Sequence, residues 1–155
     1  MLFTNNLSSQ EYCVSEQALK LLIVEDHPIY LEGLSFILKK LSHDVSLTCV
    51  HSTHDAQMLL NEDKSFDLIL LDLGLPDGGG ISVLHCLRDK NIFIPAVILS
   101  ASEEYRDVRC ALKAGASGFI SKASGSKEIL TAITSILSGK SYLPAFYNES
   151  AIYIK

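Results

Sequence analysis

The chain has 155 residues, 48% hydrophobic and 20% charged, which fits one globular domain with a short tail and excludes disordered, collagen-like and low-complexity chains. Lys and Arg number 13 against 18 Asp and Glu, a formal net charge of −5 with no basic cluster, so direct nucleic-acid contact by this chain is not expected. Cys13, Cys49, Cys86 and Cys110 form no C-x-x-C pair and no apolar run nears the about 18 residues of a membrane span, so neither a zinc site, a disulfide framework nor membrane contact is predicted, and a reducing cytoplasm is the expected location.

Residues 1–18 are polar without a sustained period and read as a flexible N-terminal arm. From Leu19, short runs rich in Ile, Val and Leu alternate with longer segments of helical period, the pattern of β/α units around a parallel sheet. The predicted strands are 21–24, 45–50, 66–71, 94–99 and 118–120, mostly apolar on both faces as buried parallel strands require. The first helix starts at Pro28, with Ile29, Gly33, Leu34, Ile37, Leu38 and Leu41 recurring at helical spacing. The second begins at Ser52 or Thr53, and the third runs over 80–89 behind Gly78-Gly79-Gly80, read as a turn and helix start. The fourth, 103–114, ends at Gly115 in a left-handed cap, with Glu103 and Glu104 in its first turn; the fifth, 127–137, stops at Gly139. Residues 140–155 hold Tyr142, Leu143, Phe146, Tyr147, Ile152, Tyr153 and Ile154, too apolar for a solvated linker, and read as a tail folded back on the domain or the start of a connector. Cys49, Cys86 and Cys110 read as small core residues and His27 as a helix-start residue, though beside the acidic pair it could reach the site, while the five histidines do not converge at metal-ligand spacing.

In an open parallel sheet, functional groups collect beyond the carboxyl ends of the strands. Glu25 and Asp26 follow the first strand, Asp72 the third, Ser100 and Ala101 the fourth, and Lys122 the fifth. Singly each is an ordinary loop residue or cap. Together, three carboxylates on one edge repel unless a cation sits among them, and hard oxygen ligands favour Mg²⁺. A lysine and a hydroxyl opposite them supply the charge and the donor that phosphoryl oxygens need. No G-x-x-x-x-G-K-[ST] or G-x-G-x-x-G pattern is present, so the phosphoryl group does not arrive on bound ATP.

With these residues in place the chain resembles the receiver domain of two-component response regulators, over about residues 19–143. The motifs are LLIVEDHPIYLEGL (21–34), DLILLDLGLPDGGG (67–80), PAVILSA (95–101) and ALKAGASGFISKASGSKEILTAITSILSGKSYL (111–143). The opening and the last segment resemble the subfamily whose receivers usually precede a LuxR-type helix-turn-helix output domain.

The resemblance implies a flavodoxin-like (βα)5 fold, a doubly wound five-stranded parallel sheet with helices on both faces, over 19–139. It implies that Asp72 accepts a phosphoryl group from a sensor histidine kinase. Glu25, Asp26, Asp72 and the backbone carbonyl of Gly74 match the Mg²⁺ site. Ser100 and Lys122 match the contacts to the phosphoryl oxygens, Ala101 leaves room for entry, and Ser100 with Phe119 matches the switch. Such a chain is a phosphoacceptor and not an enzyme beyond slow self-phosphorylation and autodephosphorylation. It changes partner surface on phosphorylation, with homodimerisation possible, and controls transcription through an output domain. The alternative is a stand-alone receiver acting through protein contacts.

Two departures stand out. The acidic pair is Glu-Asp rather than Asp-Asp, and Ala123 replaces a common proline, so a cis peptide costing about 2.5–4 kcal/mol is not expected there. An aspartyl-nucleophile hydrolase of the dehalogenase-like kind would want an acid where Gly74 stands. A flavin or small-ligand binder would want a phosphate loop where Glu25 and Asp26 would repel one.

Overall fold

The computed structural model describes residues 15–147, and side chains from residue 17. Of the expected arm over 1–18, residues 1–14 lie outside the described residues, as do Ile152, Tyr153 and Ile154 of the tail, while residues 15–18 are strand and not a flexible arm. The elements are β1 (Ser15–Val24), α1 (Pro28–Leu38), β2 (Ser42–Val50), α2 (Thr53–Glu62), β3 (Leu68–Asp72), α3 (Gly79–Asp89), β4 (Ala96–Ser100), α4 (Tyr105–Lys113), β5 (Gly118–Ser121) and α5 (Ser126–Leu137).

All five strands pair in parallel in the order β2-β1-β3-β4-β5, so the winding reverses between β1 and β3. Alternate strand residues feed two cores. Leu22, Val24, Ile69, Leu71, Ile98 and Phe119 meet one set of helices through Ala56, Leu60, Val83 and Val108 of α2, α3 and α4. Leu21, Ile23, Leu70, Leu99 and Ile120 meet α1 and α5 through Leu34, Leu38, Ile129 and Ile133. Burial on both faces explains why the central strands are unbroken apolar runs, each Leu or Ile adding roughly 1.5–3 kcal/mol on burial.

Some boundaries differ from the sequence reading. β1 starts at Ser15 and β2 at Ser42, both earlier than their apolar runs, because the stretch before Leu21 has only β2 in register beside it and needs no second apolar face. β3 and β4 start later, since Phe66 and Ile94 pack on the core from the preceding loops. Ile29 is 87% exposed: on α1 it shares the outer face with Phe36, and Leu34 and Leu38 make the buried face. Glu103 and Glu104 precede α4, whose first-turn acid is Asp107. Cys110 is exposed, because Val108 and Ala111 take the sheet-facing side of α4, and Cys49 and Cys86 are only half-buried. Gly115 has the expected left-handed conformation, and every described peptide bond is trans.

The glycine run has a steric cause. A Cβ on Gly79, whose φ is +71°, would stand 2.5 Å from the Leu73 carbonyl oxygen, so only glycine lets the chain double back after Asp72 to start α3.

The tail to Tyr147 folds back on the domain. Tyr142 pairs with Gly118 beside β5, its carbonyl accepting from the Phe119 N–H at 3.1 Å. Phe146 and Tyr147 then set their rings against Tyr105 of α4, at 6.0 and 5.7 Å.

In the turn before α3, Asp77 reaches across to start α2, its carboxylate accepting from the Thr53 and His54 N–H groups at 3.0 and 3.1 Å. The Thr53 N–H holds this carboxyl below its usual range, with desolvation opposing and the His54 N–H assisting. A depressed pKa contributes stability above the unfolded value of about 3.9 and loses it as pH falls through the folded one. Asp77→Ala is therefore expected to lower the melting temperature at pH 7, with the gap from wild type closing in acid. A gap independent of pH would contradict this origin.

Candidate functional site

The carboxyl ends of β1 and β3 flank the reversal in strand order, where a crevice opens in such sheets. Glu25 leaves β1 fully buried, and Asp72 ends β3 at 2% exposure. Ser100 ends β4 buried beside β5, and the Lys122 N–H donates to its carbonyl at 2.8 Å. Each side chain is thus set by the end of a fully buried strand.

Lys122 Nζ lies 2.8 Å from Glu25 Oε1 and 3.1 Å from Asp72 Oδ1. Glu25 Oε2 accepts from the backbone N–H groups of Asp26 and His27, at 3.1 and 3.0 Å, and lies 2.6 Å from His27 Nδ1. Burial pushes the Glu25 carboxyl up, but the hydrogen bonds from Lys122 and His27 outweigh it and the net shift is downward. Asp72 Oδ1 accepts from the Gly74 N–H at 3.1 Å.

Asp26 Oδ1 and Asp72 Oδ2 are buried without a hydrogen-bond partner among the described residues. Ligand atoms of Glu25, Asp26, His27 and Asp72 lie within 4.8 Å of one another. Orphaned buried carboxylate oxygens are costly unless something positive meets them, and a set of oxygen donors suits a hard divalent cation. The residues therefore fit a Mg²⁺ ion.

The Ser100 hydroxyl oxygen accepts from the Ser102 N–H at 2.9 Å, which leaves its own O–H to donate. The loop after it is tied down twice, by Ser102 Oγ donating to Asp107 at 2.5 Å and by Ser121 Oγ donating to Glu103 at 3.1 Å. Phe119 is fully buried in the core facing α2, α3 and α4.

The expected residues thus converge: Glu25, Asp26, Asp72 and Lys122 form one ionic cluster, with Gly74 bonded to Asp72 and Ser100 at the adjacent strand end. Two further residues join them. His27, read as a helix-start residue within reach of the acidic pair, turns its ring into the cluster, 3.4 Å from Asp26 Oδ1 and 3.7 Å from Asp72 Oδ2. Tyr30 places its ring 4.9 Å from Lys122 Nζ. Direct succession to the acidic pair points to His27, and a position one helical turn further on could have pointed to Tyr30.

The family model of the response regulator receiver domain matches residues 21–134. The glycerol metabolism activator of Pseudomonas putida is 35% identical over 125 residues, covering 81% of this chain and 57% of that protein. The nitrate/nitrite response regulator NarL of Escherichia coli K12 is 30% identical over 129 residues, 83% of this chain and 59% of that protein. The chain thus spans less than two thirds of the length of these relatives. A crystal structure of a LuxR family DNA-binding response regulator from Silicibacter pomeroyi superimposes with a TM-score of 0.73 at 30% identity, covering 83% of this chain and 99% of that one. No helix among the described residues is long and apolar enough to cross a membrane.

Proposed function

The chain belongs to the response regulator receiver domain family, and from that membership we propose that Asp72 is its phosphoacceptor, charged by a sensor histidine kinase. The observation that carries this reading is the buried Asp72 carboxylate, with one oxygen unpartnered and the other 3.1 Å from the Lys122 ammonium. In the proposed transfer a carboxylate oxygen of Asp72 attacks phosphorus, the P–N bond of the kinase phosphohistidine breaks, and its electron pair leaves with the imidazole. Lys122 and the Ser100 O–H meet the phosphoryl oxygens, and Ala101 gives them room.

Glu25, Asp26, Asp72 and the Gly74 carbonyl would hold Mg²⁺, which offsets the charge that the acids and the phosphoryl group bring together. Drawing Ser100 toward the phosphoryl group would strain the ties of its loop to Asp107 and to β5. Phe119 is already buried, so the surface change on phosphorylation falls to that loop and α4.

At the level of the whole protein the reading extends to cytoplasmic control of transcription through an output domain, in keeping with the relatives' names, and to self-association on phosphorylation. Exposed Ile29 and Phe36 on α1 support the latter.

The test is intact mass after incubation with acetyl phosphate and Mg²⁺. One added phosphoryl group is expected for wild type, none for Asp72→Asn, and strong suppression by chelator or Asp26→Ala. Undiminished labelling of Asp72→Asn would overturn the assignment.

A further inference from the structure

Lys122 carries its charge on a flexible four-carbon stem, and ordering such a chain costs rotamer freedom. Glu25 and Asp72 attract the ammonium, yet ion pairs alone fix a point charge loosely, since it can slide between oxygens. Tyr30, from the first turn of α1, supplies a contact of another kind, its ring centroid 4.9 Å from Lys122 Nζ. The face of an aromatic ring is negative through its quadrupole and attracts a cation without adding net charge. That matters in a pocket that already holds three carboxylates, where a fourth acid would aggravate the repulsion.

The Tyr30 hydroxyl oxygen is buried without a hydrogen-bond partner among the described residues. Burial first, then the Glu25 and Asp72 carboxylates, push its pKa up to about 12, so the phenol stays neutral at working pH.

The geometry points to Tyr30 as a positioning residue that holds the Lys122 ammonium against Asp72 through its ring face. This rests on the reading of Lys122 as the phosphoryl contact. The ring acts on Lys122 and not on the phosphoryl group, so its absence lets the ammonium sample more of the pocket and meet the transferring oxygens less often. Phenylalanine should serve as well as tyrosine, because the hydroxyl makes no bond.

The test uses the full chain with Tyr30→Phe and Tyr30→Leu. Without phosphodonor, proton NMR should find the Lys122 Hε resonances shifted upfield by the ring in wild type and Tyr30→Phe, and near ordinary lysine values in Tyr30→Leu. The rate of phosphorylation by acetyl phosphate should fall about tenfold in Tyr30→Leu and stay within about twofold in Tyr30→Phe. Tyr30→Met replaces the leucine variant if the latter unfolds. Unchanged Lys122 shifts in the ringless variant, or a phenylalanine variant as impaired as leucine, would overturn the proposal. If no variant or wild type is phosphorylated while the shifts behave as expected, the phosphoacceptor reading fails and the ring contact stands.

Discussion

Lys122→Met is expected to slow phosphorylation of Asp72 by at least about a hundredfold, the scale of removing one preorganised charge from a transferring group. Lys122 is 14% exposed at the side chain and pairs with Glu25 and Asp72 at 2.8 and 3.1 Å. Methionine keeps the length and packing of the stem and deletes only the charge, so the loss reports on electrostatics rather than on a cavity.

The same substitution should also destabilise the metal-free protein, because three carboxylates then face one another without the ammonium. Breaking a buried pair by removing one partner costs about 3–5 kcal/mol, an upper figure here because the Lys122 side chain itself keeps some exposure. The pH dependence has a fixed sign. In wild type the net depression of the Glu25 carboxyl contributes stability above its unfolded value of about 4.3 and loses it as pH falls through the folded value. Without Lys122 the carboxyl takes up its proton at higher pH, so the deficit is largest near neutrality and shrinks in acid. Mg²⁺ should restore more stability to the variant than to wild type, since a bound cation takes over part of the missing charge. Melting curves with chelator and with Mg²⁺, across pH 4 to 8, measure all three effects. A wild-type phosphorylation rate in Lys122→Met would remove lysine from the reaction.

The strands that build this pocket were legible because both their faces are buried: 21–24 and 118–120 are apolar at every position and admit no other placement in a parallel sheet. The first half of β1 was not, because the stretch before Leu21 has only β2 in register beside it and mixes polar Ser15, Glu16, Gln17 and Lys20 with Ala18 and Leu19. The start of α4 was misplaced for a related reason. Ser102 and Glu103 spend their side chains on Asp107 and Ser121, and those bonds hold the chain extended where helix propensity would start it earlier. The acids and Lys122 could be gathered from sequence because strand ends fix their level in the sheet. His27 follows the acidic pair directly and meets Glu25 two residues away, so its place was legible too; that of Tyr30 was not, since its ring meets Lys122, which arrives from β5, distant in sequence.

Gly74→Asn should shorten the life of the phosphorylated form by about tenfold. Hydrolysis needs a water in line with phosphorus, and an oriented water gains more than a merely accessible one. Wild type has little to orient it. Gly74 has no side chain, and its N–H is already committed to Asp72 Oδ1. Ser102 is engaged as well: its hydroxyl donates to Asp107 at 2.5 Å and accepts the Glu104 N–H at 3.3 Å, so it does not turn toward the phosphoryl group. Space for a new side chain is available, because a Cβ on Gly74 would meet nothing nearer than Asp72 Oδ1 at 3.9 Å. An asparagine amide projecting from there offers both a donor and an acceptor beside the reacting carboxylate. It adds no charge, so the Mg²⁺ site and Lys122 keep their electrostatic balance and the phosphorylation rate should change little. The measurement is decay of the phosphorylated mass after the phosphodonor is removed, at saturating Mg²⁺. If Gly74→Asn decays at the wild-type rate or more slowly, an accessible water suffices in this pocket, and the side chain at position 74 acts as a shield rather than a guide.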